Sequence, residues 1–174
     1  MAISKREILR KVKVVLSAFF QADGSLLNVN ASERSISHKF AEHLQKQFPD
    51  LNVDCEYNRH GNDIKMLRYY HSGLTKVANL EARTVFPDIV VHKRGNDKDN
   101  LLIIEIKKSD SGQDNRPDLE KLKAFTGDQF RYKVGLFLLF DVERKCLCCA
   151  RCFSAGKEVN PISRSSLKEF MCSE

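Results

Sequence analysis

Apolar residues recur at helical spacing twice within the first fifty positions. Ile8, Val12, Val15, Leu16 and Phe19 line one side of residues 5–20, while Lys5, Arg6, Arg10 and Lys13 fall elsewhere around the axis. This pattern predicts a packed helix with a solvated basic face, in preference to a DNA-contacting helix. Ala22-Asp23-Gly24-Ser25 breaks it. A second helix is predicted over about 32–48, with Ser32 as N-cap, Ile36, Phe40, Leu44 and Phe48 as its apolar stripe, and Pro49-Asp50 as its stop. The period then falls to two. Leu51, Val53, Cys55 and Tyr57 alternate with Asn52, Asp54 and Glu56, which marks a half-buried strand.

Two runs rich in β-branched and aliphatic residues, 86–91 and 101–106, flank a polar segment with strong turn formers. They read as a β-hairpin. If its turn is centred on Asn96-Asp97, Asp88 lies directly opposite Glu105. Opposed residues share a face, with Cβ atoms about 4.5–5.5 Å apart. Lys107, two residues beyond Glu105, projects from that face too, while Ile104, Ile106 and Lys108 point the other way. A register slip of one residue separates Asp88 from the pair.

Between the first strand and the hairpin, residues 58–84 are expected to be irregular or to hold a short surface helix. Basic residues interleave there with aromatics, including Lys65, Arg68, Tyr69 and Lys76, a mixture suited to phosphate contact and base stacking. After the hairpin, residues 109–116 are polar. Pro117 opens a helix with Leu119, Leu122 and Phe125 on one side, and Gly127 closes it. On that helix Lys121 and Lys123 face either solvent or a phosphate backbone. Residues 132–140 form a strongly apolar fourth strand, Cys146-Leu147-Cys148-Cys149-Ala150-Arg151-Cys152 a fifth, and residues 165–172 a last short helix.

Composition narrows the class. The chain has 174 residues, 42% hydrophobic and 30% charged, which suits a globular protein with a substantial core. It has no long uncharged apolar run, so no membrane span is expected, and Arg10, Lys11 and Lys13 interrupt the apolar stretch that a signal peptide requires. The net charge of +6 favours an anionic partner. Zinc sites usually pair two separated ligand clusters, whereas four of the six cysteines crowd into one strand. They are read as small apolar residues. Free thiols imply a reducing, cytoplasmic setting. There is no glycine-rich phosphate loop, no Gly-x-Ser-x-Gly and no His-Glu-x-x-His.

Pro87-Asp88 followed by Glu105-Ile106-Lys107, set on two adjoining apolar strands, resembles the signature of the PD-(D/E)XK nuclease superfamily. The stretch from Glu33 to Ala41 is similar to the opening helix of small bacterial members, and Glu56-Tyr57-Asn58-Arg59 resembles another segment of theirs. The resemblance implies an α/β (α+β mixed) protein with a restriction endonuclease-like αβββαβ core and a central mixed sheet of four to five strands flanked by helices. It covers about residues 32–140 of a single domain spanning 1–174. The helix over 5–20 and the strand and helix over 141–174 are additions.

The implied activity is metal-dependent hydrolysis of phosphodiester bonds, of DNA by family. Asp88 and Glu105, with the backbone carbonyl of Ile106, would hold Mg²⁺ or Mn²⁺. Lys107 would orient or deprotonate the attacking water. Glu33 would bind a second metal or its water shell, with Glu42 as the competing candidate on the same helix. Lys65, Arg68, Tyr69, Lys76, Lys108 and Lys121 are the candidate nucleic-acid contacts. Cleavage of both strands often uses a homodimer, but no dimer surface is legible. Two other readings stay open: a nucleic-acid-binding module without catalysis, and a protein-interaction domain in which the charges form a buried ion network.

Binding carried by phosphate charge is steeply salt-dependent. Affinity for a DNA duplex is expected to fall at least tenfold between about 50 mM and 200 mM salt. Changing Lys65, Arg68 and Lys76 together to Ala should weaken it at every salt concentration. Fluorescence anisotropy checks both, and an affinity indifferent to salt or to the triple substitution refutes this surface.

Overall fold

The computed structural model describes residues 3–57, 86–112, 114–159 and 167–172, together with the backbone course of 59–60, 63–64, 66–68 and 82–84. The first helix, α1 (Lys5–Ala22), begins where the Ser4 hydroxyl accepts the Glu7 N–H. It buries Ile8, Val12, Val15, Leu16 and Phe19, the five apolar positions of the predicted stripe. It stops at Asp23 because the chain turns sharply: a Cβ at Gly24 would lie 2.5 Å from the Phe20 carbonyl oxygen. A four-residue helix, α2 (Ser25–Asn28), occupies the predicted break and buries Leu27. The next helix, α3 (Glu33–Gln47), has Ser32 as its N-cap, accepting the Ser35 N–H at 3.2 Å, and buries Ile36, Phe40 and Leu44.

The strands β1 (Asn52–Cys55), β6 (Ile89–His92), β7 (Leu102–Lys108), β8 (Val134–Asp141), β9 (Cys146–Ser154) and β10 (Lys157–Val159) form one mixed sheet in that spatial order. Only the β7–β8 pair is parallel, and α4 (Arg116–Thr126) is the crossover between those strands. The succession α3, β1, β6, β7, α4, β8 is the expected αβββαβ order, and the sheet has six strands where four to five were expected.

In place of irregular chain after β1, two small antiparallel ribbons form: β2 (Arg59–His60) with β3 (Asp63–Ile64), and β4 (Met66–Arg68) with β5 (Ala82–Thr84). Lys65, Tyr69 and Lys76 lie outside the described residues, as does the side chain of Arg68.

The sheet is covered on both faces. On one, α1 and α3 pack against Ile89, Val91, Leu102, Ile104, Ile106, Leu136 and Leu138. On the other, Leu119, Leu122 and Phe125 of α4 meet Val90, Ile103, Phe137 and Phe153. Along β7 the set Leu102, Ile104, Ile106 is apolar and faces α1 and α3, whereas the set facing α4 starts with Ile103 and then carries the charged Glu105 and Lys107 into a strand buried on both sides. Each fully buried Leu, Ile or Phe contributes roughly 1.5–3 kcal/mol, so these two layers dominate the stability. Among the described residues, no helix is long and apolar enough to cross a membrane.

The C-terminal end departs most from expectation. Of the short helix expected over 165–172, the described residues, 167–172, hold one 3-10 turn at Lys168–Phe170, and 165–166 lie outside them. Cys146 and Cys172 are joined in a disulfide, with Cα atoms 5.2 Å apart, beside a bridge between Leu147 and Met171. Cys146 is thus cross-linked rather than a small apolar filler, and neither cysteine is a free thiol, which removes part of the basis for inferring a reducing compartment. Cys152 does fill the core. The pairing of β9 with β8 shifts between Leu139 and Phe140, leaving Cys148 as an extra residue. That bulge breaks the alternation that would have set Cys146 and Cys148 on one face.

α4 packs tightly over Gly135, where a Cβ would sit 3.0 Å from Thr126 Cγ2 and 3.4 Å from Leu122 Cδ2. Gly135→Val should lower stability by about 1–3 kcal/mol, the cost of overpacking a filled interface. Urea denaturation measures it. A variant as stable as the original protein would show that α4 has room to move.

Candidate functional site

Four elements deliver charged side chains to one place: the start of β6, the C-terminal half of β7, and the first turns of α3 and α4. The geometry follows from the topology. A crossover helix runs back along its sheet, so α4 begins at the end of β7. The first residue of α3, Glu33, reaches the same end, where its Oε1 accepts the Lys108 backbone N–H at 3.0 Å. Both helices carry an acid in the first turn, Glu33 and Asp118, where the helix dipole favours negative charge.

The hairpin register is the predicted one. Ile89 pairs with Ile104 and Val90 with Ile103, so the next step sets Asp88 opposite Glu105. Both lie in phase with residues of the α4 layer, Val90 and Ile103. Asp88 follows Pro87, which has no N–H to continue a ladder. The Asp88 side chain closes the strand end instead: its Oδ2 accepts the Ile106 N–H at 2.7 Å. Ile106 therefore meets Asp88 through its amide N–H.

Glu105 has no exposure to water. Its Oε2 accepts from Lys121 Nζ at 2.8 Å, and its Oε1 is buried with no hydrogen-bond partner. Lys121 also lies 3.1 Å from Asp118 Oδ1. Lys107 extends between the two helix starts, 3.3 Å from Glu33 Oε2 and 3.7 Å from Asp118 Oδ2. The sequence thus brought Asp88, Glu105, Lys107 and Glu33 to one site. It placed Lys121 outward, toward solvent or phosphate, but its side chain is only 15% exposed and turns inward. The carboxylate at the centre of the network, Asp118, was missed. The missing signal was positional. Asp118 and Lys121 each precede a buried leucine by one residue, so they edge the stripe of a helix packed directly over Glu105.

The remaining candidates sit apart. Both Glu33 oxygens accept hydrogen bonds, Oε2 from Lys107 and Oε1 from the Lys108 amide, so Glu33 orients Lys107. Among the described residues, no group of three or more His, Cys, Asp or Glu side chains could hold a metal ion. Lys108 Nζ is 2.5 Å from Asn30 Oδ1, and Lys123 pairs with Glu120. Glu42 pairs with His38 and Lys39 on the exposed side of α3. Glu56 pairs with Arg34 at the rim of a cavity of about 200 Å³, which is also lined by Ser37, Cys55 and Asp88 and opens beside the network. The Ser37 hydroxyl there is buried and unpartnered.

The charges respond to this environment. Burial pushes the Glu105 carboxyl up to about 8, against the pull of Lys121 and with the push of Asp88. Burial also holds Asp88 above the usual carboxylate range, although the Ile106 N–H opposes it. For Lys107, burial works against the ammonium, but Asp118, Glu33 and Asp88 outweigh it, so its pKa lies above the ordinary lysine value. Lys121 follows the same pattern with Glu105 and Asp118.

No protein-family model matches this chain, and comparison with curated proteins finds no match.

A carboxyl whose pKa is raised by folding stabilises the protein fully only below its unfolded value, here 4.5, and that contribution is lost as pH rises through 8. In divalent-free buffer with chelator, the stability of the protein relative to its Glu105→Gln variant should therefore fall steadily between pH 5 and pH 8. Urea denaturation across that range measures the difference. A flat difference would show that Glu105 ionises as freely as an exposed glutamate.

Proposed function

We propose that the protein is a metal-dependent nuclease of the PD-(D/E)XK type, acting on DNA, with Asp88 and Glu105 as its metal-binding carboxylates. The observation that carries this reading is the bare Oε1 of Glu105. A buried carboxylate oxygen without a donor is costly, and it faces the same layer as Asp88. The charge count supports it. Four carboxyl groups, Glu33, Asp88, Glu105 and Asp118, face only the two ammonium groups of Lys107 and Lys121, and a divalent cation would balance the two that burial otherwise holds toward the protonated form, Asp88 and Glu105.

Two side-chain carboxylates suit Mg²⁺, which commonly binds through one or two carboxylates, its own waters and substrate phosphate rather than a full protein cage. Such an ion, when bound, supplies a Lewis acid for the phosphoryl oxygen and a more acidic water. Lys107 is the chain's own catalytic group. Its raised pKa keeps it protonated at neutral pH, so it stabilises the charge that develops on the phosphate and holds the nucleophile by hydrogen bonding rather than taking its proton. Glu33 and Asp118 aim its ammonium.

A second reading rests on a specific contact. The 2.8 Å ion pair between Lys121 and Glu105 already compensates part of the charge, as in a buried ion network of a binding or interaction domain. That reading requires no carboxylate-dependent metal binding.

Three variants separate the readings. Asp88→Ala should lose both Mn²⁺ binding and plasmid nicking. Lys107→Ala should keep Mn²⁺ binding and lose at least about a hundredfold in cleavage rate, the scale of one well-placed charge in the transition state. Lys108→Ala, whose ammonium turns away to Asn30, should keep most activity. Calorimetric Mn²⁺ titration with a nicking assay checks all three. Full activity in Lys107→Ala, or an inactive Lys108→Ala, contradicts the assignment.

A further inference from the structure

Lys121 has no role in the metal site described above, yet it makes the shortest contact with Glu105. It enters from α4, its side chain is 15% exposed, and it touches two carboxylates, Glu105 Oε2 at 2.8 Å and Asp118 Oδ1 at 3.1 Å. A lysine in that position is an internal counter-cation for a carboxylate that is itself wholly buried. A second cation at Glu105 faces the ammonium at close range, where like charges repel strongly in a medium of low dielectric. The two positive charges therefore compete for one carboxylate.

We infer that Lys121 is a displaceable placeholder: it holds Glu105 in the metal-free protein and withdraws onto Asp118 when a divalent cation is bound. This rests on the reading of Asp88 and Glu105 as metal ligands. Three features make the exchange feasible. Lysine has a flexible four-carbon stem and a rotatable point charge, so it can change partner without moving the helix. Asp118 lies one turn before Lys121 on the same helix and already contacts it, so release from Glu105 leaves no unpaired ammonium. Asp118 also lies 3.7 Å from Lys107, so the withdrawn ammonium stays beside the catalytic lysine. Lys121 thus acts as a positioning residue that sets metal affinity.

A merely structural lysine predicts the opposite outcome. If Lys121 only holds Glu105 in place, removing it loosens the ligand and weakens metal binding. Mn²⁺ binding to chelator-treated protein, followed by calorimetry and by the electron paramagnetic resonance of free Mn²⁺, distinguishes the two. Lys121→Met keeps the stem and removes the charge; it should bind Mn²⁺ roughly 10- to 100-fold more tightly, the scale on which groups around a first shell alter metal affinity. Lys121→Arg keeps the charge and should bind no more tightly than the original protein. Adding Glu105→Gln to Lys121→Met should abolish the gain. Unchanged or weaker binding by Lys121→Met overturns the proposal.

The readings fail separately. If the original protein binds Mn²⁺ through Glu105 and Lys121→Met matches it, only the placeholder falls. If neither the original protein nor any variant binds, the metal site falls with it. Should Lys121→Met fail to fold, the lysine ammonium ¹H–¹⁵N spectrum of the original protein decides. The Lys121 signal, assigned by its absence in Lys121→Arg, should shift on saturation with Mg²⁺ and stay fixed in Glu105→Gln. A Lys121 signal unmoved in protein saturated with Mg²⁺ also overturns the proposal.

Discussion

A carboxylate with no access to water must find its compensation inside the protein, and around Glu105 that requirement organises the whole end of the sheet. Glu105 sits on the central strand β7, covered on both faces, so its partners must come from the layers themselves. Lys121 and Asp118 arrive on the crossover helix, Asp88 on the neighbouring strand, and Lys107 two residues further along β7. Glu33 closes the circuit from the opposite layer. The site therefore depends on packing far from it. If α4 lifts from Gly135, or β6 slips by one residue, the ammonium groups and carboxylates no longer meet.

Not every charge in this circuit has the same job. Lys107 lies between acids of two different helices and is held protonated by both. It ties α3 to α4 across the end of a strand. Lys121 and Asp118 are neighbours on one helix and are free to rearrange between themselves. The first arrangement is rigid because its partners are fixed to separate elements. The second is adaptable because Asp118 lies one turn from Lys121 on the same helix, so Lys121 can keep that partner when its contact with Glu105 on β7 changes. The proposed nuclease would use both properties, a fixed charge beside the phosphate and a carboxylate that tolerates loading and unloading.

Much of this architecture was legible in the order of residues. Period-3.6 stripes located α1, α3 and α4, because each buries one face against the sheet. The register of the hairpin followed from the position of its turn, since the side-chain period of two leaves no intermediate choice. What was not legible depended on contacts distant in sequence. Lys121 looked like a solvated lysine because nothing in its neighbourhood reveals that Glu105, sixteen residues earlier, lies beneath it. Cys146 looked like an apolar filler and Cys172 like a free thiol because the tail that brings them together carries only a weak pattern. The bulge at Cys148 was equally hidden. An extra residue on one strand is visible only against its partner strand.

The cross-link between Cys146 and Cys172 turns the last part of the chain into a closed ring. Inside that ring Phe170 stacks on Phe20 of α1, and Glu169 pairs with Lys13. A single backbone cut between the two cysteines releases no fragment while the bond is intact. A pulling force applied at the C-terminus enters the fold directly at the start of β9, bypassing everything between. The tail thus behaves mechanically as a handle riveted to the sheet, at the same end of the strands as Lys107 and Lys108.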